Sequence, residues 1–146
     1  MRRFPAGVAV VTVDVEGERL GLTVGTLISL SLEPPLVGFA VSRQAALHEL
    51  MRRAEGFGAS LLAAGQEAVA QHFARGVPPI ALWERIPVRE SEGPPLLEGA
   101  LGWLVCRREA EHDVGDHTFF VGEVLSVEAG EGRQPLLYLD QRYLSL

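Results

Sequence analysis

The sequence predicts a mainly β chain, an antiparallel barrel with short peripheral helices. Three observations lead there. Apolar residues recur at strand period along most of the chain. Only two stretches, 45–54 and 66–75, change to helical period. These two do not alternate with strands in the βαβ manner of a parallel sheet. With 146 residues, 47% of them hydrophobic, the chain can bury one core, and residues 1–146 are read as a single domain.

Taken in order, residues 8–15 are rich in valine, whose β-branched side chain favours a strand. Glu16-Gly17 is a turn. Residues 19–24 set Leu20, Leu22 and Val24 against Gly21 and Thr23, a second strand with one buried face. Glu33-Pro34-Pro35 is a stop that neither a helix nor a central strand runs through. Residues 36–41 are a continuous apolar run of strand length. Leu47, Leu50, Met51 and Ala54 then fall at i, i+3, i+4 and i+7, a short amphipathic helix closed by Gly56. Residues 57–62 form a strand, and 66–75 a helix with Val69, His72 and Phe73 on one side. Gly76-Val77-Pro78-Pro79 ends that helix. Residues 80–99 are irregular, a long loop of the kind that tends to carry function. The longest strand signals, 100–110 and 118–129, are joined by a polar connection at 111–117. Gly130-Glu131-Gly132 is a turn, and 136–139 is the last strand.

Composition excludes several chemistries. All 13 basic residues are arginine. Without a lysine amine there is no Schiff-base enzyme, phosphate-loop lysine or kinase-type lysine. One cysteine allows neither an internal disulfide nor a cysteine-based zinc knuckle. A net charge of -6 argues against binding nucleic acid by phosphate neutralisation. No apolar run approaches the roughly 20 residues that span a bilayer. The basic start is followed by an apolar stretch that Asp14 and Glu16 interrupt, so no signal peptide is read and a cytoplasmic location is expected.

Most candidate sites read as structure. His112 and His117, with Asp113 and Asp116 between them, lack the helical spacing of a zinc protease and fit a polar hairpin connection, so no metal is expected. Cys106 sits between Val105 and Arg107 in an apolar strand, as a buried thiol does. No Gly-x-Ser-x-Gly elbow is present, and Gly130-Glu131-Gly132 lacks both the third glycine and the helix of a dinucleotide fingerprint. Glu109 and Glu111 lie at strand spacing on a charged edge. Two segments stand apart. Residues 21–31 combine small and hydroxyl side chains that let backbone groups approach a flat polar ligand. Gly115-Asp116-His117-Thr118 places a histidine at the mouth of a strand by way of a tight turn.

In this order the two segments resemble the flavin reductase-like family of FMN-binding split barrels. Arg3-Phe4-Pro5-Ala6-Gly7-Val8 with Val10-Val11-Thr12 is similar to the family's opening, where the chain begins abruptly with little of the usual N-terminal helix. Residues 21–31 followed by Leu32-Glu33-Pro34-Pro35-Leu36-Val37 resemble its flavin segment. Leu47-His48-Glu49-Leu50, Pro95-Leu96-Leu97 through Leu101 and Cys106, Gly115-Asp116-His117 with Gly122-Glu123-Val124, and Pro135-Leu136-Leu137-Tyr138 with Arg142-Tyr143 continue the match. The chain departs from the family at Gly25, Leu47 and Ser60, where serine, serine or threonine, and asparagine are common. Those changes remove hydrogen-bond partners near the expected flavin.

The resemblance implies an NAD(P)H-dependent reductase of FMN or FAD, a homodimer, and a supply of reduced flavin to a monooxygenase component. It implies flavin contacts from Thr23, Val24, Gly25, Thr26, Leu27, Ile28 and Ser29, with His48 and Gly115 nearby. Ser42, Arg43, Gln44 and Arg75 become candidates for the flavin phosphate, because helix N-termini and guanidinium groups favour anions. His117 would meet the nicotinamide, with Asp116 orienting its ring. The alternatives are a flavin- or haem-binding split barrel without reductase activity, in a carrier or storage role, and a colourless all-β interaction module.

Overall fold

A computed structural model of the chain describes residues 1–89, 92–132 and 134–146. Its strands are β1 (Ala6–Gly7), β2 (Ala9–Val15), β3 (Glu18–Val24), β4 (Ile28–Leu32), β5 (Pro35–Ser42), β6 (Gly56–Leu61), β7 (Val88–Arg89), β8 (Leu96–Leu97), β9 (Gly102–Val114), β10 (His117–Ala129), β11 (Leu136–Leu139) and β12 (Arg142–Ser145). Helices α1 (Ala46–Arg53), α2 (Glu67–Ala74) and the single turn α3 (Pro79–Leu82) lie between them. Seven strands form one antiparallel sheet in the order β3-β2-β6-β9-β10-β5-β4. A smaller sheet runs β1-β11-β12, and β7 pairs with β8.

The large sheet curls around one core. Val11 and Val13 of β2, Phe39 and Val41 of β5, Phe57 of β6, Cys106 of β9 and Phe120 of β10 meet Leu47, Leu50 and Met51 of α1 there. Phe39 and Phe57 pack edge to face at 5.0 Å, a preferred aromatic geometry. A second core gathers Val8, Val10, Leu62, Ala70, Phe73, Leu82, Leu97 and Leu136. It ties α2 and α3 to the back of β2. The β2–β3 hairpin turns at Glu16 and Gly17 with φ of 53° and 87°, which suits the right-handed twist of the strands.

Several expectations need correction. Gly56 does not close α1, which stops at Ala54; it opens β6, where a Cβ would collide with the Cys106 carbonyl. Residues 80–99 are not a bare loop. Their described part forms α3, β7 and β8, and buries Leu82, Leu96 and Leu97; residues 90 and 91 lie outside the described set. The polar connection at 111–117 shrinks to Gly115-Asp116, because β9 and β10 pair through to Val114 and His117. The strand at 136–139 is followed by another, β12. Residues 20–23 of β3 are half-buried on both faces: the Phe73 ring lies against Gly21, and Thr23 donates to the Ala70 carbonyl at 2.6 Å.

The β9–β10 ribbon is irregular in register. The pairing steps from Val121↔Ala110 to Gly122↔Arg108, leaving Glu109 as an extra residue in β9. No helix among the described residues is long and apolar enough to cross a membrane.

Candidate functional site

The first part of the site is the stretch from the end of β3 into β4. Val24 is the last residue of the β2–β3 ladder, and Ile28 the first of the β4–β5 ladder. The N–H groups of Gly25, Thr26 and Leu27 belong to neither ladder and to no backbone turn among the described residues. They are donors in need of a partner. Thr26 is not free: its hydroxyl accepts from the Ala40 N–H at 2.9 Å and fastens the stretch to β5. Strand β4 is an edge, and Ile28, Leu30 and Leu32 on it are exposed.

The second part is the Gly115-Asp116-His117 turn. Gly115 has a φ of 58°, which a glycine adopts at little cost. Asp116 Oδ1 accepts from His117 Nδ1 at 2.7 Å. That bond fixes the ring and leaves Nε2 with no protein partner among the described residues. The hydrogen bond to His117 is the main cause holding the Asp116 carboxyl below its usual range; attraction to the same ring comes next and Arg43 adds less. His117 is 43% exposed.

Strand β5 brings the two parts together. Thr26 is bonded at Ala40, and His117 pairs in register with Ser42, two residues further along the same strand. Two strand residues span about 7 Å, so the 25–27 stretch and the histidine turn lie close to one another along β5. On the same outward face, Phe119 pairs with Ala40 and lies over Gly38, where a Cβ would strike its ring. Sequence reading missed this aromatic shelf, although a glycine inside a strand is the signal for such a close approach.

The third part is a groove of about 370 Å³ lined by Leu22, Gln44, Ala45, Leu47, Arg75 and neighbouring residues. It joins the start of α1 to the end of α2. No side chain caps α1, so its first amides remain open. Ser42 Oγ is engaged, accepting from the Gln44 N–H at 3.2 Å. This groove brings Gln44 and Arg75 together, as a phosphate site requires.

Other expected residues point elsewhere. The Arg43 guanidinium, expected at the phosphate, turns onto the histidine turn: Nη1 donates to the Gly115 carbonyl at 2.6 Å and Nη2 pairs with Asp113 at 3.1 Å. His48 is buried, and its Nε2 shares a 2.7 Å hydrogen bond with the Thr118 hydroxyl. It lines a different, polar groove with Arg52 and Glu111. Ser60 is fully buried and accepts from the Leu97 N–H at 3.0 Å, so it holds β8 and faces no ligand. Leu47 belongs to the core. A serine at Gly25 would crowd Ala6, 3.2 Å from its Cβ. No cluster of metal-ligating side chains occurs among the described residues. Burial pushes the Cys106 thiol up to about 12, which makes it inert near neutrality.

Comparison with known proteins shows the family and the fold. The family model described as flavin reductase like domain matches residues 1–146. The reductase component of 4-hydroxyphenylacetate 3-monooxygenase from Thermus thermophilus is 43% identical over 146 residues, covering 100% of this chain and 92% of that protein. An NADH-dependent FAD reductase from Streptomyces globisporus is 37% identical over 144 residues, covering 96% of this chain and 79% of its own. A solved structure of the Streptomyces globisporus NADH:FAD oxidoreductase, in complex with NAD and FAD fragments, superposes with a TM-score of 0.92 at 35% identity, covering 98% and 86% of the two chains.

Proposed function

The chain belongs to the flavin reductase-like domain family, and on that premise we propose that it is an NAD(P)H:flavin oxidoreductase working on FMN or FAD. The observation that carries this is the placement of Thr26 and His117 two residues apart along β5. When bound, the flavin supplies a ring that takes hydride from a nicotinamide; the protein supplies position and charge.

In this reading residues 25–29 hold the ring, while Thr23, bonded to the Ala70 carbonyl, and Val24, in the core, support the stretch from behind. The free N–H groups of Gly25, Thr26 and Leu27 face its polar edge, where preorganised donors stabilise developing negative charge without reorganising. Because the donors are backbone groups, the departures at Gly25 and Leu47 cost less than the loss of side chains implies. Gln44, the open amides of α1 and Arg75 receive the phosphate, with Ser42 beside them holding the Gln44 N–H. Gly115 makes the turn, and Asp116 locks the His117 ring. His117 Nε2 then meets the nicotinamide carboxamide, which offers both a donor and an acceptor. His48 stays in the wall as the partner of Thr118.

The full chain, 1–146, acts as one flavin reductase-like domain in the cytoplasm, where reduced nicotinamide is available. A second copy covers the exposed apolar residues of β4 and completes the pocket, giving a homodimer. Its product, reduced flavin, goes to a monooxygenase component.

The test is nicotinamide oxidation by the purified protein with FMN and with FAD. Turnover of NADH or NADPH with either flavin is expected. Bound flavin with no oxidation of either nicotinamide would overturn the reductase reading and leave a carrier; a protein that binds no flavin would overturn both. Light scattering that shows a flavin-binding monomer would remove the dimer.

A further inference from the structure

We propose that Arg43 is a positioning residue for His117: it clamps the turn between β9 and β10 to the end of β5 and does not hold the flavin phosphate. The inference rests on the reading of the protein as a flavin reductase with His117 at the nicotinamide.

Arg43 contacts the turn at three points. Its backbone N–H donates to the Asp116 carbonyl at 3.1 Å. Nη1 donates to the Gly115 carbonyl at 2.6 Å. Nη2 pairs with Asp113 Oδ1 at 3.1 Å. The contacts fall on both arms of the ribbon, Asp113 in β9 and Gly115-Asp116 leading into β10. A guanidinium is a rigid planar fork, so two nitrogens bonded to two acceptors fix direction as well as distance. The turn has only two residues outside the strands, and one is glycine. Without Arg43 this tip keeps little to restrain it beyond the ladder. His117 sits directly across from Ser42, the neighbour of Arg43, so any shift of the tip against β5 moves the imidazole.

Energetics separate this role from a general structural one. The Arg43 and Asp113 side chains are 42% and 85% exposed. Exposed ion pairs add little to global stability. What Arg43 supplies is the location of a ring whose task depends on geometry, where a misplacement of about 1 Å costs up to about a hundredfold in rate.

The experiment compares Arg43→Ala, Arg43→Lys, His117→Ala and the double variant Arg43→Ala/His117→Ala. It reads kcat and KM for NADH at saturating FMN, the FMN dissociation constant by fluorescence, and amide exchange. Arg43→Ala is expected to lower kcat/KM for NADH on the order of tenfold, with FMN affinity unchanged. Lysine restores only part, because one ammonium cannot satisfy both acceptors. On a His117→Ala background the second substitution adds less than about twofold, since Arg43 acts through His117. Exchange rises at residues 114–117 and not in the β2–β6 core. A tenfold loss of FMN affinity, or a full multiplicative loss in the double variant, would overturn the proposal in favour of a flavin contact. Unchanged exchange at 114–117 would overturn the clamp itself. Unchanged turnover and nicotinamide KM in His117→Ala would instead sink the reading of His117, a separate result.

Discussion

His48 and His117 each hold a hydrogen bond of 2.7 Å, yet one side chain is 6% exposed and the other 43%. They sit on opposite faces of the start of β10. Thr118 points inward and meets His48; His117 points outward and meets Asp116. Strand alternation alone makes the division. On the inner face both partners are used up in holding α1 to the sheet. On the outer face one nitrogen is fixed and the other remains available. Neighbouring positions on one strand thus divide support from chemistry.

The sharpest way to test that division is to damage the inner face. Phe120 is fully buried, 5.9 Å from Phe39 and 6.0 Å from the His48 ring. Phe120→Ala is expected to cost about 3–5 kcal/mol of unfolding free energy, measured by denaturant titration. The surviving folded fraction should keep its turnover per molecule. Next comes the outer face. His117→Ala should lower kcat/KM about tenfold to a hundredfold, equal to about 1.4–2.7 kcal/mol of barrier, while the unfolding midpoint stays in place. A moved midpoint with unchanged turnover would reverse the assignment of the two faces.

A smaller effect is expected from Thr118→Val. It keeps the shape but leaves the buried His48 Nε2 without its hydroxyl, at a cost of about 1–3 kcal/mol. Nicotinamide KM should not change; a raised KM would mean the inner face also touches the reaction. The smallest effect concerns pH. The folded Asp116 carboxyl lies below its unfolded value because His117 bonds to it. Its contribution to stability is therefore present above the ordinary carboxylate range and is lost as pH falls through the lowered folded value. The stability difference between the parent and Asp116→Asn should shrink as pH falls below the ordinary carboxylate range. A gap independent of pH would remove the pair from the account.

Much of the scaffold was legible because its cause is local. Valines at 8, 10, 11 and 13 and the run at 36–41 carry strand period, and Leu47, Leu50 and Met51 carry helical period. Each of these residues except Leu36 and Ala40 ends in a buried position. The histidine turn was also legible, since a glycine and an aspartate before a strand specify it. The reach of the ribbon was not. Residues 111–114 are all exposed, so no alternation marks them as strand. Strands β1 and β12 were missed for want of length and a buried face. The partners of Arg43 and His48 lie 70 or more residues away in sequence, and no spacing rule links them. Nor does one link Ser60 to Leu97, 37 residues on. Local period reveals which residues are inside, whereas long-range polar pairs appear only once the sheet order is known.

The extra residue at Glu109 gives the ribbon a mechanical character. From there to Gly115 the hairpin runs six residues, a lever arm of about 20 Å. A bulge adds local twist and bends the strand that holds it. That bend sets the direction in which the tip leaves the sheet, and the ladder to β5 from His117 to Glu123 carries it along the arm. The aim of His117 is set at three places, a bend six residues back, the pairing with Ser42 and a catch at Arg43. Deleting Glu109 would swing the arm without altering any residue of the site.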